Sequence, residues 1–321
     1  MPEPTREPER PVGSPSWPTA PWRTRFAPAP TGRLHLGHAV NAIFVWGLAR
    51  ALGGEVLLRV EDHDRVRSRV EHERALLDDL DWLGFAPDPD PQSGATYVRQ
   101  SERGALYEAA LSRLAARDLV FPCDCSRRAV AQAVGPDGVG AEGERRYPGT
   151  CRGRRVEPGR TAMRRVRLEP ESIAFDDLRL GRQIQCPAEQ CGDVLARDRS
   201  GNWTYQFAVV VDDLAQGVDV VIRGEDLLAS TGRQIQLGGL LGRARPARFF
   251  HHALLLHPDG SKLSKSRGDT GLAELRAAGW SPGRLLAEAA RLAGLEPPGT
   301  SLAAADLPAL LGERLLARRA P

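Results

Sequence analysis

Lysine is almost missing from this chain. Of its 44 basic residues only Lys262 and Lys265 are lysine, and both fall within SKLSKS at 261–266. Arginine serves everywhere else, so this loop has its own reason for the smaller head group. Arg presents a wide planar fork, whereas Lys places a compact point charge on a flexible stem, which suits a crowded phosphate. A Lys pair in a turn is also an ordinary solvated surface, and these two residues alone do not decide the matter. Long apolar runs are missing too. None approaches the ~18 residues a membrane-crossing helix requires. The N-terminal MPEPTREPERPVGSPSWPTAP has no apolar stretch of the signal-peptide kind. A cytoplasmic protein with no membrane partner is expected. The same segment is rich in proline and charge and predicts a disordered extension over residues 1–21. Cysteine is scarce and odd in number: five residues cannot all pair in one chain, which favours a metal site or free thiols.

Net charge is only +3, but its distribution is uneven. From Arg145 to Arg182 eleven arginines stand against five acids, whereas DDLDWLGFAPDPD at 78–90 carries five acids and no base. A segregated arginine segment can grip a phosphate backbone or form a solvated face. No repeat at a period of about 20–50 residues is present.

The apolar pattern alternates strand and helix. TRFAPAP (24–30) reads as a strand leading through TGRLHLGH into a helix over about 36–52. EVLLRV (55–60) reads as a buried parallel strand, and helical patterns follow over 70–83 and 101–117. Residues 118–200 break the rhythm. They hold all five cysteines, the arginine cluster and the Gly-rich VGPDGVGAEGE (134–144), and read as an inserted subdomain. Alternation resumes with a helix over 205–214, a strand over 218–224, a helix over 227–241 and a strand over 247–257. Helical patterns close the chain at 271–279 and 283–294. The fold class is therefore α/β, a Rossmann-like parallel sheet. Its halves, 22–117 and 201–257, flank the insertion, and a short helical region follows over 258–321.

One constellation sits at the first strand-to-helix turn, APAPTGRLHLGHA (27–39). Gly32 and Gly37 let backbone approach a ligand, and His35 and His38 stand where unpaired N–H groups and the helix dipole attract phosphate. A lone H-x-x-H means little. Paired with KLSKS more than two hundred residues later, HLGH resembles the HIGH and KMSKS signatures of class I aminoacyl-tRNA synthetases. RFAPAPTGRLHLGHA (with Ala29 where Ser is usual), RVEDHD (59–64), YQFAVVVDD (205–213) and VIRGEDLL (221–228) resemble the glutamyl branch, in the right order from 25 to 266.

The resemblance implies roles. Arg25 and Arg223 take the two carboxylates of L-glutamate, Glu61 its α-amino group, and Tyr205 a hydrogen bond to it, in a pocket that includes Phe26, Ala27, Pro28 and Ala29. His35, Gly37 and His38 hold ATP, which enters with Mg²⁺, and Lys265 aided by Lys262 neutralises the reacting phosphate. Mobile point charges that follow a moving phosphate would explain the two lysines. Taken singly, Arg25 and Glu61 read equally well as members of internal salt bridges.

The second constellation is Cys123-x-Cys125 with Tyr147-x-x-x-Cys151. Three thiolates leave one tetrahedral position open. The pattern resembles the truncated glutamyl-queuosine tRNA(Asp) synthetases, whose CxC…YxxxC uses the tyrosine as fourth ligand, and so implies one structural Zn²⁺. Cys186 and Cys191 form a separate C-x₄-C pair that could supply a ligand, a disulfide or two idle thiols. Only 55 residues follow Ser266, too few for the helical anticodon-binding region of a full glutamyl-tRNA synthetase. The resemblance thus implies tRNA-independent activation of glutamate and its transfer to queuosine in the anticodon stem-loop of tRNA(Asp), by a monomer. A tRNA(Glu)-charging fragment and a non-catalytic RNA-binding paralogue are the alternatives.

Overall fold

The computed structural model describes residues 16–135, 144–154, 162–255 and 271–317. The predicted alternation forms. β1 (Trp22–Phe26) leads into α1 (Leu36–Ala51), β2 (Gly54–Val60) into α2 (Val70–Leu83), and the short β3 (Val98–Arg99) through a 3-10 turn into α3 (Gly104–Ala115). β1 and β2 run parallel with Arg25 opposite Leu57, and β2 continues onto β3. β2 is buried along most of its length, as its apolar run Val56–Leu57–Leu58 requires, with Arg59 buried beside it. β1 lies earlier than the expected 24–30 because Pro28 and Pro30 have no N–H to give a ladder. Order also begins before Pro21: Trp17 packs on Trp22 and Phe250, with ring centroids 5.6 and 5.9 Å apart.

In the second half come α6 (Tyr205–Ala215), β9 (Val220–Gly224), a 3-10 turn, α7 (Thr231–Leu240) and β10 (Arg248–His252). The stretch before β9 lies beside β1, where Asp219 N–H donates to Arg23 O at 2.9 Å. From that midline β1 and β2 step one way, while β9 and β10 step the other. β10 adds β6 (Ile173–Asp177), whose hairpin partner β7 (Gly181–Gln185) closes the edge antiparallel. This hairpin falls within 118–200 by sequence, yet it is hydrogen-bonded to the parallel sheet.

The rest of that segment builds a separate antiparallel sheet, in the order β4 (Val120–Cys123), β5 (Met163–Val166), β8 (Val194–Arg197). With it come α4 (Arg127–Val134) and the single turn α5 (Pro187–Gln190). After 271 the chain forms α8 (Leu272–Ala277), α9 (Pro282–Leu292) and α10 (Leu307–Ala317), the last not foreseen from the sequence. Leu307 and Leu311 of α10 join the largest core, which lies between α1 and the sheet. Among the described residues no helix is long and apolar enough to cross a membrane.

Candidate active site

A cavity of about 520 Å³ opens at the carboxyl ends of β1, β2, β9 and β10, where the strand order reverses. Open α/β sheets bind ligands at such a switch point. Arg25, Phe26, Ala27, Pro28, Ala29, His35, Gly37, His38, Glu61, Tyr205 and Arg223 all line it, so these sequence-predicted residues converge from four separate segments. Lys262 and Lys265 lie outside the described residues. The segment that follows them is tied to the first motif: Gly271 bridges His35, and Leu272 N–H donates to Leu34 O at 2.9 Å.

The two histidines cap α1 reciprocally. His35 Nδ1 accepts from Gly37 N–H at 3.1 Å, and His35 N–H donates to His38 Nδ1 at 3.2 Å. With both Nδ1 atoms accepting, the proton of each neutral ring sits on Nε2, a donor suited to a phosphate oxygen. Gly37 is required for this fold-back, since a Cβ there would stand 2.9 Å from His35 Cε1. Its first task is thus to admit a ring rather than a ligand.

Behind the cavity lies a buried charge network. Arg59, with no exposed surface, donates to Asp213 Oδ1 (2.8 Å), Gln216 Oε1 (2.9 Å) and Glu61 Oε1 (3.3 Å). Arg25 donates through Nε to the same Asp213 at 3.1 Å. Burial pushes Asp213 upward, but Arg25 and Arg59 outweigh it and hold the carboxyl below its usual range. At Glu61 burial wins over Arg59 and Arg25, and the pKa is raised. Arg25 and Glu61 are therefore both salt-bridge members and cavity walls.

Arg223 is held on several sides. Its Nε donates to His251 Nε2 (3.0 Å), Nη1 to Gln234 Oε1 (2.7 Å), and Nη2 to Thr231 Oγ1 (2.9 Å) and Leu227 O (3.1 Å). Tyr205 opens α6, and burial raises its phenol. Sequence reasoning missed His252, Asn41 and His63, which also line the cavity. His252 stacks on Phe44 at 5.0 Å and meets Asn41 Oδ1 at 3.2 Å. Burial pushes its pKa down to about 4, so it is neutral near pH 7. Its signal was a paired His at the end of the strand that runs into the lysine loop.

The cysteine constellation also assembles. The Sγ atoms of Cys123, Cys125 and Cys151 lie within 4.8 Å of one another. Tyr147 Oη is 3.5 Å from Cys123 Sγ and accepts Cys151 N–H at 2.9 Å. Four donors that include three thiols suit a tetrahedral soft ion, whose bonds of ~2.3 Å set sulfurs about 4 Å apart. Burial pushes the Cys125 thiol up to about 12, so without a cation it stays protonated near pH 7. This donor set can hold a metal. Cys186 and Cys191 lie outside the cluster, and Cys191 Sγ donates to Pro187 O at 3.1 Å.

Residues 21–302 match the family of class I tRNA synthetases (E and Q), catalytic domain. The chain is similar to the glutamyl-Q tRNA(Asp) synthetase of Symbiobacterium thermophilum, 46% identical over 283 residues that cover 84% of this chain and 86% of that one. It is 40% identical over 280 residues to glutamate--tRNA ligase 2 of Alkalilimnicola ehrlichii, covering 84% of this chain but 58% of that one. Among solved structures, a glutamate tRNA ligase from Elizabethkingia meningosepticum in complex with its amino acid superposes with a TM-score of 0.72 at 26% identity. That match covers 89% of this chain and 64% of the other.

Proposed function

The chain belongs to the class I tRNA synthetases (E and Q) and carries their ligase catalytic domain; from that premise we propose that it activates L-glutamate with ATP and transfers it to queuosine in the anticodon stem-loop of tRNA(Asp). The carrying observation is the convergence of Arg25, Glu61, Tyr205 and Arg223 with His35 and His38 on one cavity at the sheet's switch point. Two buried guanidinium groups suit the two carboxylates of glutamate. An ammonium beside Glu61 would favour the ionised form that burial opposes. In the first step the α-carboxylate attacks the α-phosphorus, and pyrophosphate leaves. The Nε2–H donors of His35 and His38 meet its growing charge, and Lys265 with Lys262 meets the charge at the α-phosphate. Mg²⁺ entering with ATP would screen its phosphates. In the second step a hydroxyl of the queuosine ring attacks the activated carbonyl, and AMP leaves.

Cys123, Cys125, Tyr147 and Cys151 would hold one structural zinc, which would contribute folding energy to the segment bearing the arginine cluster. Similarity to the named glutamyl-Q relative supports the queuosine acceptor. Similarity to the glutamate--tRNA ligase supports a second reading, charging of tRNA(Glu). Pyrophosphate exchange without RNA, followed by mass spectrometry of the tRNA product, separates them. RNA-free exchange and a glutamyl-queuosine adduct are expected. Exchange that strictly requires tRNA, with glutamate at the 3′ end, would establish the second reading instead.

A further inference from the structure

Arg223 reaches the cavity from β9; Gln234, Thr231 and Leu227 O hold its Nη groups, while its Nε is held through two other strands. Its Nε–H donates to His251 Nε2 on β10 at 3.0 Å, so that ring nitrogen carries the lone pair. The imidazole proton then sits on Nδ1 and is donated to Asp177 Oδ2 on β6 at 2.7 Å. All three side chains are buried: Asp177 and His251 have no exposed surface and Arg223 has 4%. Asp177 is clamped in turn, because its Oδ1 accepts Arg179 N–H at 3.0 Å and Leu180 N–H at 2.8 Å from the β6–β7 turn. Burial pushes His251 below its ordinary range, against the pull of Asp177, so the ring is neutral near pH 7.

Resting on the glutamate reading above, we propose that Asp177 and His251 are positioning residues that hold the Arg223 guanidinium in the orientation in which it meets a substrate carboxylate. A guanidinium is planar, so an acceptor fixed at Nε sets the plane in which its Nη donors point. The acceptor exists only while the proton stays on Nδ1, and the Asp177 carboxylate selects that tautomer. Moving the proton to Nε2 would set two donors against each other across the present 3.0 Å contact. Asp177 thus acts on the pocket at two hydrogen bonds' remove, from a hairpin that the sequence places in the cysteine-bearing segment.

Asp177→Asn keeps the shape and can keep both turn hydrogen bonds, but its amide donates to Nδ1 and forces the other tautomer. His251→Phe removes both bonds and keeps a ring. In RNA-free pyrophosphate exchange each should raise the KM for glutamate by about 10–100-fold, with the KM for ATP changed by less than about two-fold. His251→Gln, which can accept from Arg223 and donate to Asp177, should recover part of the loss. ¹⁵N NMR of the parent protein should report His251 protonated on Nδ1, a readout independent of whether the variants fold. Folded variants that keep the parental KM for glutamate, or a parent ring protonated on Nε2, would overturn the inference alone. A parent that fails to activate glutamate at all would overturn the functional reading and this inference with it.

Discussion

At the scale of single residues, the described buried charges include some that the fold has paired and others that it has not. Arg59 has no exposed surface and is matched by Asp213 and Glu61, and removing it would leave Glu61 buried without its arginine and Asp213 with Arg25 alone. Asp79 of α2 is different. It is 4% exposed, and its Oδ2 has no hydrogen-bond partner among the described residues. Burial pushes its pKa up to about 6, with Asp78 and Glu274 adding to the shift and Arg276 and Arg33 opposing it. An acid raised in the folded state stabilises the fold only while protonated. Stability should therefore fall as pH rises from about 4, where the unfolded chain loses this proton, to about 6, and the full penalty should persist above that. Asp79→Asn should raise the stability by about 1–3 kcal/mol at pH 7.5 and leave it nearly unchanged at pH 4. Urea midpoints at the two pH values check this; equal shifts at both would mean that packing, not ionisation, dominates.

At the scale of elements, α1 is packed closely on a helix that the sequence hid. A Cβ at Gly47 would stand 2.3 Å from Leu311 Cδ1 and 3.3 Å from Leu307 Cβ, so α10 approaches α1 where a side chain is missing. Gly47→Leu should destabilise by about 1–3 kcal/mol through overpacking, although leucine is worth nearly 1 kcal/mol over glycine in a helix. Leu311→Ala in the same chain should restore part of that loss, as a double-mutant cycle in urea can measure, and strict additivity would mean that the two helices adjust elsewhere. Why α10 went unread is physical: Pro308 and Gly312 interrupt its pattern, and its partner surface on α1 is marked only by a glycine. α1, β2 and α2 were legible to within a residue because α1 and β2 carry dense apolar runs and α2 repeats Leu76, Leu80 and Leu83 at helical spacing, although Glu73 and Asp79 share its buried face. The strands β4, β5 and β8 were not, being four residues each with Pro122, Arg164, Arg165 and Arg197 breaking up their apolar pattern. The site behaved likewise. Much of the cavity's lining was legible as spaced motifs, whereas Asp213, Asn41, His251 and Asp177 became visible only once the helices and strands that carry them were placed side by side.

At the scale of the whole molecule, two bodies of structure carry two sets of chemistry. The cavity sits on the parallel sheet, while Cys123, Cys151 and Tyr147 form a small core of their own with Phe121, Val130 and Met163. On the proposed reading, zinc orders the cysteine-bearing body, and the arginines that follow it hold RNA. Metal analysis should find about one zinc per chain, retained when Cys186 and Cys191 are both changed to serine. Chelation, or Cys125→Ser, should then leave most of the RNA-free pyrophosphate exchange intact and abolish transfer to tRNA. One physical route runs against that separation. The β6–β7 hairpin belongs to the same stretch of chain as the cysteines, yet it pairs with β10, and Asp177 reaches Arg223 through His251. Disorder spreading from the metal body along this hairpin would appear as a raised KM for glutamate with an unchanged KM for ATP. Disorder confined to the metal body would leave both constants alone. Measuring both constants on the same chelated sample therefore decides whether the metal body serves RNA alone or also steadies the amino-acid pocket; a parallel loss in both would show that it supports the entire parallel sheet.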